Sequence, residues 1–211
     1  MNWFRKIFPT KNTKIFLEVA DKCFNEVCSG VGNSSAAKIY GAHPDVRDKH
    51  WKEIREDFAT LVGNGNDPNL TKRLRGKWVE QLEHLVGDHF YTNLEEADRD
   101  VFAQYSQSDR ASEDESYYWS IAYHYTYASL LDAVILGGWD GQPGSKEQLT
   151  TLKDNYIASC QDWCKLVLEI AWKKHDGIAV TEDDKKRGKT IDMFKEAERR
   201  ALAGEKIFDD E

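Results

Sequence analysis

The chain has 211 residues, 40% hydrophobic and 31% charged, which suits a core built without disulfides and argues against disorder. Its formal net charge of -8 argues against general binding to nucleic-acid backbones, and no apolar run of about 18 residues reads as an integral membrane span. Four cysteines, none in C-x-x-C spacing, and no secretory leader lead us to expect free thiols and a cytoplasmic setting.

Met1–Thr10 mixes Trp3, Phe4, Ile7 and Phe8 with Arg5 and Lys6, and is expected as a peripheral segment docked on the rest. The first helix is predicted over 11–28, with Ile15, Phe16, Val19, Cys23 and Val27 on one side. Ser29–Pro44 is long for a connection and is expected to be a functional loop or a short extra helix. Asp45, after Pro44, opens a helix over 46–62, where Trp51, Ile54, Phe58, Leu61 and Val62 fall together. Asp67-Pro68 places a cap and a first-turn proline before a helix over 68–91. Leu74, Trp78, Leu82, Leu85 and Val86 form its stripe. Asn93, with Glu96 three residues on, opens 94–107.

Ser112 and Glu115 have capping-box spacing before a helix over 113–137, which Gly137-Gly138 ends. Trp119, Tyr123, Tyr127, Leu130 and Val134 line one side of it, and Tyr117, Ile121, His124, Leu131 and Ile135 another. A helix apolar on two faces is surrounded by others, so it is placed at the centre. Ser145 and Gln148 open 146–174, and Thr181 with Glu182, Asp183 and Asp184 opens 182–203, closed by Gly204. No segment alternates with a period of two. The expected fold is all-α: a single-domain helical bundle over 1–211, of about seven helices, with a central buried helix near 113–137.

Functional signals are sparse. Asn93–Ser116 carries eight acids against two arginines. Its field would speed capture of positive charge, so Glu95, Glu96, Asp98 and Asp100 are the expected contacts of a basic protein partner. The leading expectation is thus a helical interaction or regulatory protein, neutralising a basic partner, with no cofactor and no enzymatic role. Exposed aromatics would also admit a homo-oligomer. A second reading is a small-ligand sensor with a pocket lined by His124, Tyr117, Tyr123 and Tyr127.

A third reading is metal chemistry. His175-Asp176 resembles the dyad of helical metal phosphohydrolases, with His124 as an earlier ligand and Asp192 as a later one. Lys173-Lys174 before the dyad and Gly177-Ile178-Ala179-Val180 after it depart from that pattern. His50, Glu53, Glu80 and His84 also lie at matched distances from the turn between two helices. However, the helical wheel turns Glu80 and His84 to water and His89 to the apolar face. No G-x-x-x-x-G-K-[ST] phosphate loop and no G-x-S-x-G elbow occur.

Overall fold

The computed structural model describes residues 11–29, 35–63, 68–106, 115–138 and 144–207. Among them are eight helices and no strand, so the all-α bundle is observed. They are α1 (Lys11–Cys28), α2 (Ser35–Ala42), α3 (Pro44–Val62), α4 (Leu70–Thr92), α5 (Glu96–Ser106), α6 (Glu115–Ile135), α7 (Lys146–His175) and α8 (Glu182–Leu202). The eighth element is α2, the short extra helix within Ser29–Pro44. Met1–Thr10, Asp67 and the Ser112 cap lie outside the described residues.

Helix ends follow local chemistry. Ser145 and Gln148 form the expected capping box of α7, and Thr181 and Asp184 form a second one at α8. The C-termini of α7 and α8 share one device. The Gly177 and Gly204 N–H groups reach back to the Lys174 and Ala201 carbonyls, and the next N–H reaches the Lys173 and Arg200 carbonyls. Both glycines have φ near +70°, the left-handed turn that this closure needs. Two expected caps are corrected. Asp45 sits in the first turn of α3, behind Pro44 at its start, while His43 occupies the cap position. Asn93 ends α4 rather than starting α5, because its side-chain amide donates to the His89 carbonyl at 2.6 Å.

Packing divides into two groups that share α4. Helix α6 packs against α1, α2 and α4, while α7 packs against α4, α5 and α8. Helix α6 contributes to every hydrophobic cluster: Tyr127, Leu130, Leu131, Val134 and Ile135 to the largest, Ala122 to a second beside α2, and Tyr117 to a third beside α5. Each such fully buried aliphatic side chain contributes about 1.5–3 kcal/mol. The two groups are also tied by polar contacts. Trp78 of α4, wholly buried, donates its indole N–H to Asp132 Oδ1 of α6 at 2.7 Å. Lys153 of α7 meets Asp132 Oδ2 at 2.5 Å. None of the helices in the described residues is long and apolar enough to cross a membrane.

Candidate functional site

The polar side chains of α6 do not converge on one pocket. At 100° per residue, Tyr117 and His124 share one side and Tyr123 and Tyr127 another. Tyr117 is buried at the last turn of α4, donates to the Asp88 carbonyl at 2.7 Å and packs on the Tyr91 ring at 4.9 Å. It is a pin between two helices.

The other three sit where α3 and α4 face α6. The Tyr127 hydroxyl donates to Asp57 Oδ2 on α3, its ring tilts against Phe58 at 5.2 Å, and the Lys77 ammonium stands 5.4 Å from the ring centre. Burial, and then the Asp57 carboxylate, push the Tyr127 phenol far above its ordinary pKa, so it stays a neutral donor. His124 Nδ1 lies 2.6 Å from Gln81 Oε1 on α4. An amide oxygen only accepts, so Nδ1 carries the proton. The His124 ring stacks on His84 at 4.2 Å and 10°.

Tyr123 joins these groups. Its ring centre lies 5.3 Å from His50, 5.4 Å from His124 and 6.0 Å from Tyr127, the two imidazoles meeting it edge-on. Tyr123 is half-buried, and its hydroxyl makes no hydrogen bond among the described residues. Burial raises its pKa, and the Asp57, Glu53 and Glu80 carboxylates raise it further. His50 shares a hydrogen bond with the buried Tyr40 hydroxyl at 3.1 Å, and burial lowers its pKa, favouring the neutral ring. The result is an aromatic cluster, edged by the Glu53, Asp57 and Glu80 carboxylates and by the Lys77 ammonium.

This cluster corrects the wheel reading of α4. His84 is turned to α6 rather than to water, and His89 is exposed rather than on the apolar face. The cause is that α4 touches α3, α6, α7 and α8, so its packed surface is wider than its apolar stripe. Gln81, only 1% exposed, is the sign of this. The sequence held the signal, because Gln81 follows Leu74 and Trp78 at helical spacing.

The metal reading finds no centre. Among the described residues no group of three or more His, Cys, Asp or Glu side chains could hold a metal ion, so His124, His175 and Asp176 do not form one. His175 Nδ1 meets Asp176 Oδ1 at 2.9 Å at the exposed end of α7, and its ring stands edge-on to Trp172. The four thiols are free; Cys160 and Cys164 are buried, and burial lifts Cys164 to about 11.

The acidic residues lie elsewhere, at the start of α5. Glu95, Glu96 and Asp100 are exposed and Asp98 is half-exposed. Their carboxylates make no ion pair or side-chain hydrogen bond among the described residues. The neighbouring Arg99 is drawn inward, donating to the Leu94 carbonyl at 2.9 Å and the Thr92 carbonyl at 3.3 Å, with its guanidinium over the Tyr91 ring. The positive end of α5 favours Glu96 and Asp98 there. Of the expected partner-binding and ligand-binding residues, the structure thus groups Glu95–Asp100 and groups Tyr123, His124 and Tyr127, but leaves Tyr117 apart.

Comparison of the chain with protein-family models, curated proteins and solved structures finds no match.

Proposed function

We propose that this is a helical interaction protein that docks a basic protein partner on the acidic start of α5. One observation carries the reading: four carboxylates within the six positions Glu95–Asp100 lack a basic partner among the described residues, while Arg99 is held by backbone carbonyls. Other exposed acids, such as Glu18, Glu26 and Glu147, also lack an ion pair among the described residues, but they are spread over separate positions instead of gathered within six. A cluster of carboxylates of this kind steers a cationic surface into contact, and the rate gain falls as salt rises. The reading needs no catalytic group or cofactor. Its setting is the cytoplasm, a choice supported by four free cysteines.

The test uses a fluorescent lysine- and arginine-rich helical peptide as probe. Reversing Glu95, Glu96, Asp98 and Asp100 to lysine should weaken its binding at least tenfold. Reversing the exposed Glu18, Glu26, Glu147 and Asp154 changes the net charge equally and should have less than a threefold effect. Equal loss in both variants would mean that only overall charge matters, and the α5 reading would fall.

The aromatic cluster around Tyr123 favours a second reading, a sensor of a small organic cation. Its support is the half-buried Tyr123 hydroxyl among Glu53, Asp57 and Glu80. A thermal-shift series of alkylammonium ions against sodium, repeated on Tyr123→Phe, tests it. Identical shifts for both ion types would dismiss this sensor.

A further inference from the structure

Helices α6 and α7 both pack on α4 but scarcely on each other. The gap left between them is a cleft of about 280 Å³. Leu82, Leu85 and Val86 of α4, Ala128 of α6 and Ile157 of α7 form its walls. The Trp78–Asp132 and Tyr117–Asp88 bonds fix α4 and α6 antiparallel, which orders the polar lining. The Asp132–Lys153 pair stands at one end, and His89, Tyr125 and Gln161 stand at the other. Apolar walls with a few convergent polar groups, between the helices of a bundle, are the usual make-up of a small-molecule site. A cavity of about 150 Å³ with aliphatic and aromatic walls holds benzene, so this cleft has room for one substituted ring.

The charged end decides the substituent. Asp132 accepts from the Trp78 indole at Oδ1 and from Lys153 at Oδ2. A carboxylate has about four lone-pair sites, so each oxygen can accept once more. An ammonium carries three N–H donors. Asp132 takes one of those on Lys153, and the Trp78 ring, 5.9 Å away, faces at most another. At least one N–H is left for a ligand oxygen.

The two charges cancel and stand side by side. A ligand carboxylate drawn to Lys153 would press on Asp132, and a ligand ammonium drawn to Asp132 would press on Lys153. A hydroxyl satisfies both, because it donates to the carboxylate and accepts from the ammonium. Ser129 does not fill that role, since its own hydroxyl donates to the Tyr125 carbonyl at 2.8 Å. Displacing water from Leu82, Leu85 and Ile157 supplies the affinity. A rigid ring covers those side chains with less loss of internal freedom than a flexible chain of equal size.

We propose that this cleft binds a small uncharged phenol, its ring between α4 and α7 and its hydroxyl on the Asp132–Lys153 pair. The probe is para-ethylphenol, which is neutral at pH 7 because phenols ionise near pH 10. It is titrated into the isotopically labelled full chain and read at the assigned Trp78 indole N–H resonance, which reports on Asp132. The resonance should shift saturably, with a Kd below about 1 mM. Read at the same resonance, para-ethylbenzoate and para-ethylbenzylammonium should bind at least tenfold more weakly. Asp132→Asn keeps an oxygen for the indole but leaves Lys153 without its counter-charge, so it should bind para-ethylbenzoate at least tenfold more tightly than the parent chain does. Ile157→Trp and, separately, Leu85→Trp fill the cleft and should abolish the shift with circular dichroism unchanged. No saturable shift up to about 5 mM overturns the proposal. So do equal affinities for the three probes, an unchanged benzoate affinity in Asp132→Asn, or binding that persists in either filled variant while it is folded.

Discussion

Asp132→Ala strikes the joint between the two packing groups. Trp78 is wholly buried, so removing its acceptor leaves an indole N–H with no water to turn to. An orphaned buried donor costs about 1–3 kcal/mol. Lys153 loses its carboxylate partner at the same time. Its side chain is 18% exposed and that of Asp132 is 31% exposed, so solvent screens the pair and the fully buried figure does not apply. A further loss of about 1 kcal/mol is reasonable for such a screened pair. The variant should therefore lose about 2–4 kcal/mol in all. Asp132→Asn keeps an oxygen for the indole and gives up only the ion pair, so its loss should be about 1 kcal/mol. Urea unfolding followed by far-ultraviolet circular dichroism, extrapolated linearly to water, measures both. Equal losses in the two variants, or a loss below about 0.5 kcal/mol in Asp132→Ala, would refute the claim that the Trp78 bond is the larger part.

Three further outcomes follow from single groups. The hydrogen bonds of the Lys173 ammonium and then of Thr181 hold Asp184 at about 2, below its ordinary 3.8. A depressed carboxyl stabilises the folded chain above its unfolded pKa and loses that contribution as pH falls toward the folded one. The thermal midpoint of Asp184→Asn should thus lie below that of the parent chain above pH 4 and converge with it near pH 2; a gap that ignores pH would count against this. Gly204→Ala forces a Cβ into a backbone with φ +71°, so it should cost about 1 kcal/mol and lower the midpoint by about 2–4 °C, read by calorimetry. Iodoacetamide on the native chain at pH 8, with digestion and mass spectrometry, should label half-buried Cys23 and Cys28 before buried Cys160 and Cys164.

How far the sequence carried this picture depended on what each residue touches. The long helices were legible because their stripes and caps are local; the Ser145 and Thr181 boxes need only three residues each. Helix α2 was less so. Its eight residues include Gly41, and it is fixed by burying Ala36 and Tyr40 in a cluster with Ala122 of α6, a partner remote in sequence. The same limit applies to the cluster around Tyr123. His84 and His124 meet through the packing of α4 on α6, which a wheel drawn around one stripe does not contain. Asp132 is itself a sign of a buried joint: it is the lone acid described within the interior of the most apolar helix, and such a group needs a partner.

The shared role of α6 has a consequence for synthesis. Its shell is assembled from both sides of the chain: α1, α2 and α4 precede it, and Val167 and Tyr156 of α7 join the clusters it belongs to afterwards. As the polypeptide leaves the ribosome, α6 therefore finds α1, α2 and α4 already made, and what stays open until α7 arrives is the α7-facing side of α4 and α5, which makes that interval one of exposure to aggregation and to chaperone capture.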